Sequence, residues 1–93
     1  MTTEAQFLNQ VRSLARILGW FTYHPQLSKW SERGFPDITM VRGNRLVFAE
    51  LKNEKGKTTI FQDEWLGMLN MVPGVETYLW RPRDRDLIEK VLR

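Results

Sequence analysis

The pair Gly43-Asn44 constrains this chain more than any other feature, because it separates two runs of strand-forming residues, 37–42 and 45–52. Glycine followed by asparagine between such runs marks a two-residue hairpin turn. A turn of that length fixes the register of the strands it joins. Arg42 then faces Arg45, and stepping outward along the ladder brings Asp37 directly opposite Glu50. Residues paired in this way project from the same face, with β-carbons about 4.5–5.5 Å apart. Lys52, two residues beyond Glu50, shares that face because side chains alternate along a strand. A bulge or a longer turn would shift the pairing by one residue and send the two carboxylates to opposite faces.

The rest of the chain supplies what such a hairpin needs for burial. Residues 4–18 carry Phe7, Leu8, Val11, Leu14, Ala15 and Leu18 at helical spacing, with Thr2 or Thr3 as N-cap, Glu4 in the first turn and Gly19 as a stop. Residues 20–23 read as a short strand, and 24–34 as a polar, aperiodic exposed loop. After a lysine-rich connection at 53–57, Thr59 caps a second helix running to about Met71. Phe61, Trp65, Met68, Leu69 and Val72 form its apolar side, and Pro73-Gly74 ends it. A fourth strand at 75–80 and a short helix after Pro82, apolar at Leu87, Ile88, Val91 and Leu92, complete the order αβββαβα. This order predicts an α/β fold with a mixed sheet flanked by helices, plus a short C-terminal helix. With 93 residues, 42% of them hydrophobic, and no repeat or linker, the expectation is a single domain spanning 1–93 with a modest core.

Composition removes several kinds of chemistry. There are no cysteines, so no disulfide framework or thiolate chemistry, and a single histidine cannot build a structural zinc site. No apolar run approaches the length of a membrane span and the N-terminus is polar, which predicts a soluble, cytoplasmic protein without a membrane partner. The net charge of +3 is compatible with nucleic acid but common among small domains.

What remains is the acidic pair. Like charges directly opposite each other destabilise a sheet, so Asp37 and Glu50 require a positive partner. Lys52 or an arginine at the sheet edge is one candidate. A divalent cation is the other, since carboxylates, carbonyls and water are the hard oxygen ligands that Mg²⁺ and Mn²⁺ prefer. Leu46, Val47, Phe48, Ala49 and Leu51 surround Glu50 with a run typical of a strand buried on both faces, where charges are rarely placed without a task.

Pro36-Asp37, followed thirteen residues on by Glu50-Leu51-Lys52 within the αβββαβ order, resembles the PD-(D/E)xK nuclease superfamily. The short hairpin, the run Gly34-Phe35-Pro36-Asp37 and Gln62, ten residues after the lysine, resemble the virus-type replication-repair nuclease domain (VRR-NUC) in its stand-alone phage form. The resemblance implies a restriction-endonuclease-like core and a Mg²⁺- or Mn²⁺-dependent endodeoxyribonuclease. It further implies a homodimer acting on branched DNA, above all four-way (Holliday) junctions, in the host cytoplasm where the chain is phage-encoded. By the same resemblance Asp37, Glu50, the backbone carbonyl of Leu51 and Glu4 would hold the metal. Lys52 would position or activate the attacking water, and Gln62 would point into the site from the second helix. Glu4 could instead simply favour a helix N-terminus, and Thr59-x-x-Gln62 is also a good capping box.

Other residues carry weaker signals. Arg33, Lys55 and Lys57 flank the ends of the hairpin and could contact phosphates, and Trp30 in the preceding loop could touch DNA or a partner subunit. His24, beside Pro25, reads as a loop histidine rather than a catalytic base. Trp20, Trp65 and Trp80 read as core. Arg81, Arg83 and Arg85 alternate with Asp84 and Asp86 and do not read as a binding patch. The competing classes are a noncatalytic basic DNA-binding module with a nuclease-like fold and a monomeric nickase of flaps or single strands.

Overall fold

A computed structural model describes residues 1–25 and 32–93. Its elements follow the expected order: α1 (Glu4–Ile17), β1 (Phe21–Tyr23), β2 (Ile38–Arg42), β3 (Arg45–Leu51), α2 (Ile60–Asn70), β4 (Val75–Trp80), a 3₁₀ turn (Pro82–Asp84) and α3 (Arg85–Leu92). The strands form one mixed sheet in the order β1-β2-β3-β4, with β3 antiparallel to β2 and parallel to β4. Among the described residues no helix is long and apolar enough to cross a membrane.

The hairpin register is the expected one: Arg42 pairs with Arg45 and Ile38 with Ala49. Gly43 has φ +59° and no non-glycine residue among the described ones has positive φ, so the turn carries its left-handed residue at the first central position, as a type II′ turn does.

One face of the sheet carries the core. Ile38, Met40, Val47, Ala49, Leu51 and Trp80 pack against Phe7, Val11 and Ala15 of α1 and Ile88 and Leu92 of α3. Polar contacts tie the helix ends together. Trp20 Nε1 donates to the Leu92 carbonyl, and the Arg42 guanidinium donates to the carbonyls of Leu18, Leu92 and Arg93. One arginine thereby satisfies carbonyls that the C-terminal ends of α1 and α3 leave open.

The opposite face carries Phe48 and Glu50, and α2 covers only part of it. The α2 face differs from the one expected from sequence: none of its residues is buried, and Phe61, Met68 and the following Val72 are exposed. Gln62, Trp65, Leu66 and Leu69, rather than the Phe61–Val72 stripe, are its half-buried residues. Trp65 is therefore an edge contact, packed on Phe35, while Trp20 and Trp80 are core as expected. Leu87, expected on the apolar side of the last helix, is exposed.

Candidate functional site

The site forms where the ladders run out. On the β1–β2 side the last pair is Tyr23↔Thr39, and on the β2–β3 side it is Ile38↔Ala49. Continuing each register would set Asp37 opposite Pro25, and Leu51 opposite Pro36. Proline has no N–H to give, so both ladders stop there and β2 begins at Ile38 rather than at Asp37. The backbone of Lys52 turns toward β4, donating to the Trp80 carbonyl at 3.0 Å. Its neighbour Leu51 turns toward β2, since backbone groups alternate between flanking strands. There the Leu51 N–H donates to Asp37 Oδ2 at 2.8 Å, and Pro36 leaves the Leu51 carbonyl without a ladder donor.

Glu50, 2% exposed, is the only charged residue among the described ones that is fully buried. Its two oxygens have different surroundings. Oε2 accepts from Gln62 Nε2 at 2.8 Å and lies 3.7 Å from Lys52 Nζ. Oε1 is buried with no donor to it among the described residues, and the Asp37 carboxyl lies within hydrogen-bonding reach of the Glu50 carboxyl. Burial and the adjacent Asp37 carboxylate push the Glu50 carboxyl up from 4.5 to about 8, against the pull of Lys52. A buried acceptor without a donor, beside a second carboxylate that repels it, is an environment a cation relieves.

Gln62 reaches Glu50 while serving as a cap. Its Oε1 accepts from the Thr59 N–H at 2.9 Å, and its backbone N–H donates to Thr59 Oγ1 at 3.2 Å. The two readings of this residue, cap and site, are therefore true together, one end of the amide serving each. Close packing sets the helix at this distance. Gly34 has φ +85°, and a β-carbon there would fall 2.4 Å from the Phe61 carbonyl carbon. Only glycine lets the chain ahead of Pro36-Asp37 lie against the first turn of α2. Phe35 then wedges edge-on between Phe48 and Trp65, with ring centroids 5.9 and 5.1 Å away.

The remaining candidates fall at the rim. Glu4 is exposed. Its Oε2 lies, with the Lys52 stem, within 3.6 Å of the space a β-carbon on Gly56 would fill, and its charge adds slightly to the upward push on Glu50. It does not close a third corner with Asp37 and Glu50: among the described residues no three His, Cys, Asp or Glu side chains converge as a metal-holding group. Lys55 and Lys57 are exposed on the 52–58 connection. That connection is braced from below, where Arg81 Nη1 donates to the carbonyls of Asn53 and Gly56 at 2.7 and 2.6 Å. Arg33 lies over the Phe61 ring, 5.0 Å from its centroid, rather than beside the carboxylates. Trp30 lies outside the described residues. His24, read from sequence as a loop residue, instead contacts the site: its Nδ1 is 2.6 Å from the Asp37 carbonyl oxygen.

The residues present fit a hard divalent cation. Asp37, Glu50 and the Leu51 carbonyl, to which Pro36 can give no ladder N–H, are oxygen ligands of the kind Mg²⁺ takes, and Mg²⁺ commonly binds through one or two carboxylates with water and phosphate completing the shell. Set against protein-family models, curated proteins and solved structures, the chain matches none.

Proposed function

We propose that this protein is a divalent-cation-dependent endonuclease that hydrolyses DNA phosphodiesters, with Asp37, Glu50, Lys52 and Gln62 as its working residues. The observation that carries the reading is Glu50. A buried carboxyl with one oxygen held by Gln62 and Lys52, and paired with the like-charged Asp37, carries an electrostatic cost that a shared proton relieves in the metal-free protein and a cation relieves when bound. When bound, Mg²⁺ or Mn²⁺ supplies charge neutralisation at a phosphate oxygen and lowers the pKa of water.

The chain's own residues supply the remainder. Asp37 and Glu50 hold negative charge toward the cation. Gln62 fixes which Glu50 oxygen is free. The Lys52 ammonium, 3.7 Å from Glu50, offers donors to the attacking water and to charge developing on phosphate. Hydrolysis adds water across one P–O bond, leaving a phosphate monoester and a sugar hydroxyl. Lys55 and Lys57 extend the positive edge beside Lys52 as non-specific phosphate contacts. Glu4 borders this edge as a further carboxylate.

A homodimer acting on a four-way DNA junction belongs to the same proposal and derives from the resemblance in sequence. One site cuts one strand, and a twofold pair makes the two symmetric cuts that resolution requires. Exposed apolar side chains on the α2 side of the sheet, Phe21, Tyr23 and Val41, with Met68 on α2 and Val72 just after it, support self-association. The test is cleavage of an immobile junction against a matched linear duplex in Mg²⁺, Mn²⁺ and EDTA, with mass measured by light scattering. Metal-dependent cutting that favours the junction, with a dimeric mass, is expected. Binding without cutting would instead indicate a noncatalytic module, and a monomer cutting both substrates equally would indicate a nickase.

A further inference from the structure

Asp37 belongs to neither ladder, yet it is anchored from both sides. Its carboxylate takes the Leu51 N–H of β3, and its carbonyl faces the chain that continues β1. A strand residue at that point would normally receive an N–H from the residue opposite. That residue is Pro25, and the preceding side chain, the half-buried His24, reaches the same carbonyl with Nδ1 at 2.6 Å. A carbonyl only accepts, so the ring nitrogen must carry the hydrogen. We infer that His24 is a positioning residue, held as the Nδ1–H tautomer, whose ring replaces the hydrogen bond Pro25 cannot make and thereby fixes Asp37 across from Glu50.

The consequence for the site follows from rigidity. Ile38 is fully buried, so the strand is fixed on that side of Asp37. On the other side Pro36 gives the backbone no N–H for anchoring. Without the His24 donor, the Asp37 backbone keeps one anchor through its own side chain, and the carboxylate trades its Leu51 contact against rotation of the peptide. Residues that orient a metal-binding carboxylate from behind commonly alter metal affinity or activity by about 10–100-fold. The inference rests on the nuclease reading only for this consequence, while the tautomer stands on geometry alone.

The chain has a single histidine, so its ring signals need no assignment. A long-range ¹H–¹⁵N spectrum of the metal-free protein, recorded at alkaline pH, should show Nδ1 protonated and Nε2 bare. The reverse pattern overturns the inference whatever the protein does to DNA. Calorimetric titration with Mn²⁺ should show His24→Ala binding at least about tenfold more weakly than wild type. His24→Asn, whose amide N–H₂ can stand where Nδ1–H does, should recover most of that loss. Junction-cleavage rates measured alongside should show the His24→Ala defect shrinking as Mn²⁺ is raised. Equal affinity in wild type and His24→Ala, or no recovery in His24→Asn, overturns the positioning role. A wild type that shows the Nδ1–H tautomer but does not cut DNA rejects the nuclease reading while leaving the contact in place.

Discussion

The Gln62 amide is divided between two duties: its oxygen caps α2 through Thr59 while its nitrogen donates to the buried carboxylate of Glu50. The helix start and the charged centre of the sheet are thus joined through one side chain. Anything that moves the first turn of α2 also releases a Glu50 oxygen.

Exchanging the amide separates these duties. Gln62→Glu retains an oxygen for the Thr59 N–H but turns a second carboxylate oxygen toward Glu50. Gln62→Ala removes both contacts and should lower stability by about 1–2 kcal/mol, from a lost cap and a lost donor to a buried carboxylate. Gln62→Glu should keep the helix signal in circular dichroism, yet lose cleavage by at least about tenfold. Wild-type cleavage in Gln62→Glu would confine the residue to capping.

Glu50 also sets the pH dependence of the metal-free protein. Its carboxyl is raised from 4.5 to about 8, by burial first and Asp37 second. The folded state therefore holds a proton that the unfolded chain releases near pH 4.5. Stability from this group is fully present below about pH 4.5 and is lost as pH rises toward about 8. The loss should be on the order of 5 kcal/mol, at 1.36 kcal/mol per pKa unit between 4.5 and about 8, seen by urea denaturation in EDTA. Glu50→Gln should flatten this slope and be at least as stable as wild type at pH 8.

Much of this arrangement is legible in the sequence, because a two-residue turn leaves no freedom in register. Gly43-Asn44 alone places Asp37 across from Glu50, and the apolar run around Glu50 announces its burial. The loss of ladder pairing at Pro36 was also readable from that register, although its effect on the Leu51 carbonyl emerges only with the backbone directions. The role of His24 was not readable. Thirteen residues separate Tyr23 from Asp37, and a connection that long leaves the β1–β2 register open. The lie of α2 was hidden for another reason. Its apolar residues occupy more of the helix than one stripe, and the Gly34–Phe61 approach, not hydrophobicity, selects the face with Gln62.

Gly34→Ala tests that approach. The new β-carbon would meet the Phe61 backbone at 2.4 Å in a left-handed conformation. Neither neighbour is a flexible side-chain tip, so α2 must shift. Thermal unfolding should show a loss of at least about 1 kcal/mol, and cleavage should fall through displacement of Gln62. A variant of unchanged stability would mean that the 33–35 chain and α2 do not pack in this way.

Lys52→Ala separates charge from ligation. An ammonium does not bind a cation, so Mn²⁺ affinity should stay within a few-fold of wild type or tighten. Turnover should fall by about 10²-fold or more, as for loss of a donor that stabilises developing charge. A loss of affinity as deep as that of Glu50→Gln would contradict this role.

The most direct measurement is cleavage of a labelled DNA junction by wild type, Asp37→Asn and Glu50→Gln, each at saturating Mg²⁺ or Mn²⁺ and again in EDTA. Both replacements preserve shape, and Asp37→Asn keeps an oxygen for the Leu51 N–H, so folded protein is expected from each. The expected result is metal-dependent cutting by wild type, abolished by EDTA and absent from both variants. Cutting by either variant at near wild-type rate, or a wild type inert in both metals, would contradict a nuclease centre at Asp37 and Glu50.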